Sequence, residues 1–220
     1  MRGDGFLAIW SDVEAARQTD YLHWLAREHT TERLTTEGFI AVRVFRALGI
    51  EAFRVFILYD LSGPEMLGGE DYLRKLNAPT PWSQRIMPML SNFIRGGGRP
   101  AGSAGIGQGG LINVMALQET PEDAAKIAAD IAALDRIAAV HILKTDLAAT
   151  AIQTNEKAMR GQDRSFEALL VMEGFDEDAL LSAFARLPQV APELKTDQAI
   201  PALLYRQIFA LDRDLIGAST

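Results

Sequence analysis

Cysteine is absent from the 220 residues. That excludes disulfides, thiolate metal sites and a cysteine nucleophile, and it suits a reducing compartment. Histidine occurs only at His23, His29 and His141. None forms an H-E-x-x-H or H-x-H pair, so no metal site is expected. Long apolar runs are missing: no stretch reaches the roughly 18 residues that a membrane helix needs. Met1 to Trp10 lacks the apolar region and cleavage site of a signal peptide. The expected location is the cytoplasm, with no membrane partner. Positive charge is in the minority, with 22 Lys and Arg against 29 Asp and Glu, a net charge of −7. Without a long basic stripe, no nucleic-acid partner is expected. There is no G-x-S-x-G elbow and no G-K-[ST] loop, which argues against serine hydrolysis and P-loop chemistry.

What is present is an ordinary globular composition, 48% hydrophobic, with material for a core. The most distinctive segment is Gly96–Gly110, where eight of fifteen residues are glycine. It reads as a mid-chain loop joining two halves. Its stretch Gly105–Gly110 formally matches G-x-G-x-x-G. That stretch precedes a strand instead of opening a helix after one, so dinucleotide binding is rejected.

Alternating β-branched and aromatic runs mark strands at Gly5–Trp10, Gly38–Arg46, Ala52–Tyr59 and Asn92–Arg95. Helical segments are expected at Gln18–Leu34, from Ser62 to Leu76, and at Trp82–Leu90. After the glycines the order repeats. Strands fall at Leu111–Leu117, Ile137–Lys144, Phe166–Met172 and Leu203–Phe209, and helices at Thr120–Asp135 and Phe175–Leu187. Asp146–Arg164 reads as a long polar excursion. Both halves are therefore β-α-β-β-α-β. The expected fold class is α+β, two ferredoxin-like repeats (1–100 and 110–220) packed into one single-chain barrel. Such a chain is complete as a monomer, and a homodimer is also compatible with it.

Several residues extend this reading to a family. Tyr21 to Leu34 carries Trp24 and His29 in a W-x4-H-like pattern, and Gly38-Phe39 opens the second strand. Tyr59 to Glu65, Tyr72 and Pro81-Trp82 follow. The first half on these residues resembles the dimeric α+β barrel superfamily, which includes muconolactone isomerase-like, EthD-like and antibiotic monooxygenase-like proteins. Two-module members include the cis-trans isomerases of syringate degradation, in lignin-type aromatic catabolism. The second half departs from the pattern, because its first helix has neither His nor Trp. The resemblance thus implies a single site, in the first half.

On a helix, Tyr21, Leu22, Leu25, His29, Glu32 and Arg33 fall within about 120°. Leu22 and Leu25 face the sheet, so His29 points inward or along the edge of the buried face. Arg33 is one turn on, and a guanidinium beside an imidazole disfavours its charged form and makes it a base. The alternative is a core histidine bonded to backbone. Arg43 alternates with Phe39, Ala41 and Phe45 and is a candidate carboxylate anchor. Arg95 ends a strand beside the glycines. Tyr59 ends the third strand, where it can donate a proton or simply fill the core. The candidate site is therefore His29 and Tyr59 as catalytic groups, with Tyr21, Trp24, Arg33, Arg43 and Arg95 around an acidic small-molecule substrate. No cofactor is expected, although the resemblance also admits haem on His29. The function this implies is an isomerase working by acid–base chemistry on an unsaturated oxo or dicarboxylic acid from aromatic ring cleavage, with cis-trans isomerisation as one form. A non-catalytic binding or stress-related barrel and an oxygenase are the alternatives.

Overall fold

A computed structural model describes residues 1–160 and 163–216. Eight strands form a closed antiparallel barrel: β1 (Gly5–Val13), β2 (Phe39–Ala47), β3 (Phe53–Leu61), β4 (Ser91–Ala104), β5 (Leu111–Leu117), β6 (Ile137–Thr145), β7 (Ala168–Gly174) and β8 (Leu203–Asp212). The order round the barrel is β1-β3-β2-β8-β5-β7-β6-β4, and β4 closes on β1. The first half thus runs β4-β1-β3-β2 and the second β8-β5-β7-β6, the same order twice. Closure leaves no free edge.

Strand residues alternate between the interior and the outer face. The interior is packed with Phe6, Trp10, Phe45, Phe56, Phe166 and Tyr205, among others. Trp10 Nε1 donates to Tyr205 Oη across it at 2.8 Å. The outer face of the first half lies under α1 (Gln18–Trp24), α2 (Thr30–Leu34), α3 (Glu70–Asn77) and α4 (Pro81–Ile86). That of the second half lies under α5 (Ala124–Ala132) and α8 (Glu177–Val190). Strands covered on both sides read as nearly continuous apolar runs, which is why they were visible in the sequence. No described helix is long and apolar enough to cross a membrane.

Two expectations need correction. The glycine segment is not all loop, because Gly96 to Ala104 belong to β4. The glycines there permit close approach. A Cβ on Gly96 would lie 2.6 Å from the Phe166 ring, and one on Gly98 only 2.1 Å from the Lys144 carbonyl oxygen. Gly98 is where β4 leaves β1 and takes up β6, pairing with both Phe6 and Thr145. The polar excursion is also structured. It forms α6 (Leu147–Thr150) and α7 (Asn155–Arg160). α7 packs against α3 of the other half.

Candidate active site

The first helical segment holds the site's core. Between α1 and α2 lies one π-helical turn, Leu25–His29. One extra residue in a turn absorbs about 100° of rotation. This swings His29 and Arg33 round towards Tyr21 and Trp24, so that all four are buried on one side. His29 is 5% exposed and Arg33 2%.

A chain of contacts fixes the imidazole. Thr80 caps α4 by accepting from the Ser83 amide at 3.0 Å. The Ser83 hydroxyl accepts from Trp24 Nε1 at 3.1 Å. Trp24 then stacks on His29, with ring centroids 4.1 Å apart at 27°. Burial, and next the charges of Arg33 and Arg160, press the His29 pKa well below its ordinary 6.5. The imidazole is therefore neutral at physiological pH.

His29 and Arg33 open onto a cavity between the helices and the outer faces of β1 and β3. Tyr21, Trp24, Tyr59, Tyr72, Arg95 and Phe93 also line it. The space open to water centres is about 40 Å³, room for roughly three waters. Four of its buried polar atoms have no hydrogen-bond partner among the described residues: Tyr21 Oη, His29 Nδ1, Arg33 Nη1 and Tyr59 Oη. Buried polar groups are normally satisfied, so four around one space require an explanation. Burial pushes Tyr21 up to about 12, and the nearby Ser11 hydroxyl, too poorly placed for a full hydrogen bond, acts the other way. Burial pushes Tyr59 higher still. Both phenols are therefore neutral donors.

The excursion between β6 and β7 supplies the rest. Glu156 of α7, 3% exposed, accepts from Arg33 Nη2. Glu32 lies 3.5 Å from Arg33 Nη1 as an ion pair. Burial works against the Arg33 charge, but Glu156 and its neighbours more than offset it. Arg160 sits over the Phe93 ring at 4.1 Å and is held by Asp163 at 2.9 Å. Arg95 donates to Tyr72 Oη at 3.2 Å. Arg33, Arg95, Lys157 and Arg160 against Glu156 and Asp163 leave the lining at +2, in a chain of −7. The lining is thus positive in a chain that is negative as a whole.

Six of the seven predicted site residues meet here: Tyr21, Trp24, His29, Arg33, Tyr59 and Arg95. Arg43 does not. A β-bulge between Phe39 and Ala41 separates their faces, so Arg43 points into the barrel with Phe45. There Arg43 makes two bonds to Glu173, at 2.8 and 2.9 Å, while the Gly109 amide donates to the same carboxylate at 2.7 Å. Burial would raise the Glu173 carboxyl, but hydrogen bonds from His141 and Arg43 hold it at about 2. Arg43 is a structural anchor. Glu156, Lys157, Arg160 and Asp163 were missed. Their charge pattern is ordinary for a solvated helix, and only the fold brings them to the other half. The corresponding outer face of the second half is filled by Met115, Leu117, Ile127, Ile142, Met172 and Leu180.

No family profile matches the chain, and no curated protein matches it in sequence. Solved structures with the same fold do. Chlorite dismutase from Candidatus Nitrospira defluvii in complex with imidazole superposes with a TM-score of 0.55 at 10% identity, over 98% of this chain and 94% of that one. A monooxygenase-like protein from Fusobacterium nucleatum gives 0.54 at 10% identity over 96% of each chain. An anthrone oxidase-like protein gives 0.54 at 14%, over 95% and 92%. The chain therefore shares the closed α+β barrel fold of these proteins. A haem does not fit the site as it stands. His29, the candidate haem ligand there, lies flat on Trp24 with the Arg33 charge beside it.

Proposed function

We propose that the cavity is the active site of an enzyme that works by acid–base chemistry, without a cofactor, on a small conjugated oxo acid. The observation that carries this reading is the set of four buried polar atoms round one space that make no hydrogen bond among the described residues, Arg33 Nη1 having only its ion pair with Glu32. An aligned ligand satisfies them, and unsatisfied groups of this kind are costly unless they have work to do. A barrel face without a small-molecule site has no need of them, as the filled face of the second half illustrates.

The steps follow from the side chains. Neutral His29 takes a proton from a carbon conjugated with the substrate carbonyl. The electron pair moves to the carbonyl oxygen, which accepts hydrogen bonds from Arg33 Nη1 and the Tyr59 hydroxyl. Double-bond order falls in the dienolate, so rotation becomes possible. The imidazolium then returns its proton. In finer detail we read this as an isomerase of an unsaturated oxo or dicarboxylic acid, akin to the EthD-like and muconolactone isomerase-like proteins. The repeated strand order supports a further reading, that 1–100 and 110–220 are two ferredoxin-like repeats. The likeness in fold to a monooxygenase-like and an anthrone oxidase-like protein favours a second outcome for the same carbanion, reaction with dioxygen in place of reprotonation.

NMR in D2O tests the proposal with a conjugated oxo diacid and the wild type and His29→Ala side by side. The expected result is deuterium uptake and equilibration of geometric isomers, slowed about 10²-fold or more in the variant. Equal rates in both proteins remove His29 from the mechanism. Dioxygen uptake without isomerisation selects the oxygenase outcome.

A further inference from the structure

Outside the cavity lies a groove of about 310 Å³, lined by Arg95, Leu147, Thr150, Lys157, Asp163 and Arg164 among others. Arg95, Lys157 and Asp163 line both spaces, so the groove is the cavity's mouth. Three cations surround it. Asp163, the one acid there, is taken by Arg160. None of the three cations has a carboxylate partner among the described residues. Arg95 and Lys157 both reach the Thr150 carbonyl, at 3.4 and 3.5 Å. Arg164 reaches the Ala199 carbonyl at 3.4 Å. Two like charges thus crowd one neutral oxygen.

The arrangement is built by the backbone. The Arg164 amide donates to Phe93 at 3.1 Å, and the Arg95 amide donates to Arg164 at 2.9 Å. These bonds pin Arg164 beside Arg95. An acidic chain could have neutralised such a cluster easily, yet the one carboxylate among the described lining residues, Asp163, pairs with Arg160. Inside, Arg33 Nη1 makes no hydrogen bond among the described residues and has only its 3.5 Å ion pair with Glu32.

We propose that Arg95, Lys157 and Arg164 form an outer anion subsite, so that the substrate is a dianion held by Arg33 at its inner end and by these cations at its outer end. This rests on the cavity being the active site. It adds that the substrate carries a second carboxylate, several bonds from the first, and that the mouth selects for it. Charge-assisted hydrogen bonds of this kind set specificity, because a neutral end leaves the cations unsatisfied.

Two probes with the same six-carbon diene separate the effect. trans,trans-Muconate has a carboxylate at each end, and sorbate has a methyl in place of one. Calorimetric titration of the wild type should show muconate binding about tenfold tighter than sorbate. In Lys157→Met/Arg164→Gln that ratio should fall to near one. Arg164 is exposed and Lys157 half-buried, so the double variant should fold, and its melting curve checks this. A wild type that binds both probes equally, or neither, overturns the subsite. So does a variant that keeps the wild-type ratio. Proton exchange of the conjugated oxo diacid in D2O separates this from the chemistry, since muconate itself has no acidic carbon-bound hydrogen. Muconate preference without exchange leaves the subsite standing and removes the isomerase. Exchange of a carbon acid without dianion preference does the reverse.

Discussion

Replacing Glu156 by Ala leaves the Arg33 guanidinium buried at 2% exposure without its main counter-charge. Breaking a buried pair from one side costs about 3–5 kcal/mol. Glu32, 3.5 Å away, still offsets part of the charge. The lower end, about 3 kcal/mol, is therefore expected. For a chain of this size that lowers Tm by about 6–12 °C. Differential scanning calorimetry at pH 7 and low salt reads it. The same variant offers a second readout. Arg33 faces the cavity, so acetate can take the place of the lost carboxylate. At ten times its Kd, acetate restores about 1.4 kcal/mol, several degrees of Tm, beyond any effect on the wild type. In Arg33→Met/Glu156→Leu the charge is gone and the loss should largely disappear. A Glu156→Ala protein that melts with the wild type, or gains nothing from acetate, refutes the reasoning, because Arg33 is then already solvated.

Other consequences follow from the same geometry. His29 has a folded pKa depressed below 6.5, so its contribution to stability is present above that pH and lost as pH falls. Unfolding free energy should drop with a slope of up to about 1.4 kcal/mol per pH unit below pH 6.5, and His29→Gln should flatten that part of the denaturant-derived profile. Tyr59→Phe removes a buried hydroxyl that has no protein partner, so Tm should hold or rise while the exchange rate falls about tenfold or more. Arg43→Met should cost about 3 kcal/mol by stranding Glu173, yet leave muconate affinity unchanged in the folded protein, which calorimetry checks. Gly98→Ala should destabilise by about 1–3 kcal/mol by denaturant titration, because its Cβ has only 2.1 Å to the Lys144 oxygen.

Local signals made much of this legible. The strand Leu111–Leu117 was read to the residue, and Gln18–Leu34 in its full helical extent. Tyr21, His29 and Arg33 were visible as one face because helical periodicity is a local property, whereas Trp24 came only from the W-x4-H resemblance. The π-helical turn that aligns them was not, since nothing in the residue pattern of 25–29 requires it. Gly96 to Gly102 misled because composition cannot separate a glycine that frees a loop from one that lets backbones touch. Arg43 misled for a related reason. One bulged residue reverses the side-chain alternation, and a bulge leaves no reliable mark in a single sequence. Glu156 and Arg160 lie over a hundred residues from His29, and the crossing of α7 onto the first half is a property of the closed barrel alone.

The claim at the centre of this account is that His29 is a neutral base facing a bound anion. Nitrogen-15 NMR of histidine-labelled protein, titrated with and without muconate, addresses it directly. The account predicts a His29 ring that stays neutral well below pH 6.5 and whose nitrogen resonances move when muconate binds. A ring that titrates at its ordinary pKa and is unmoved by muconate at saturation would contradict it.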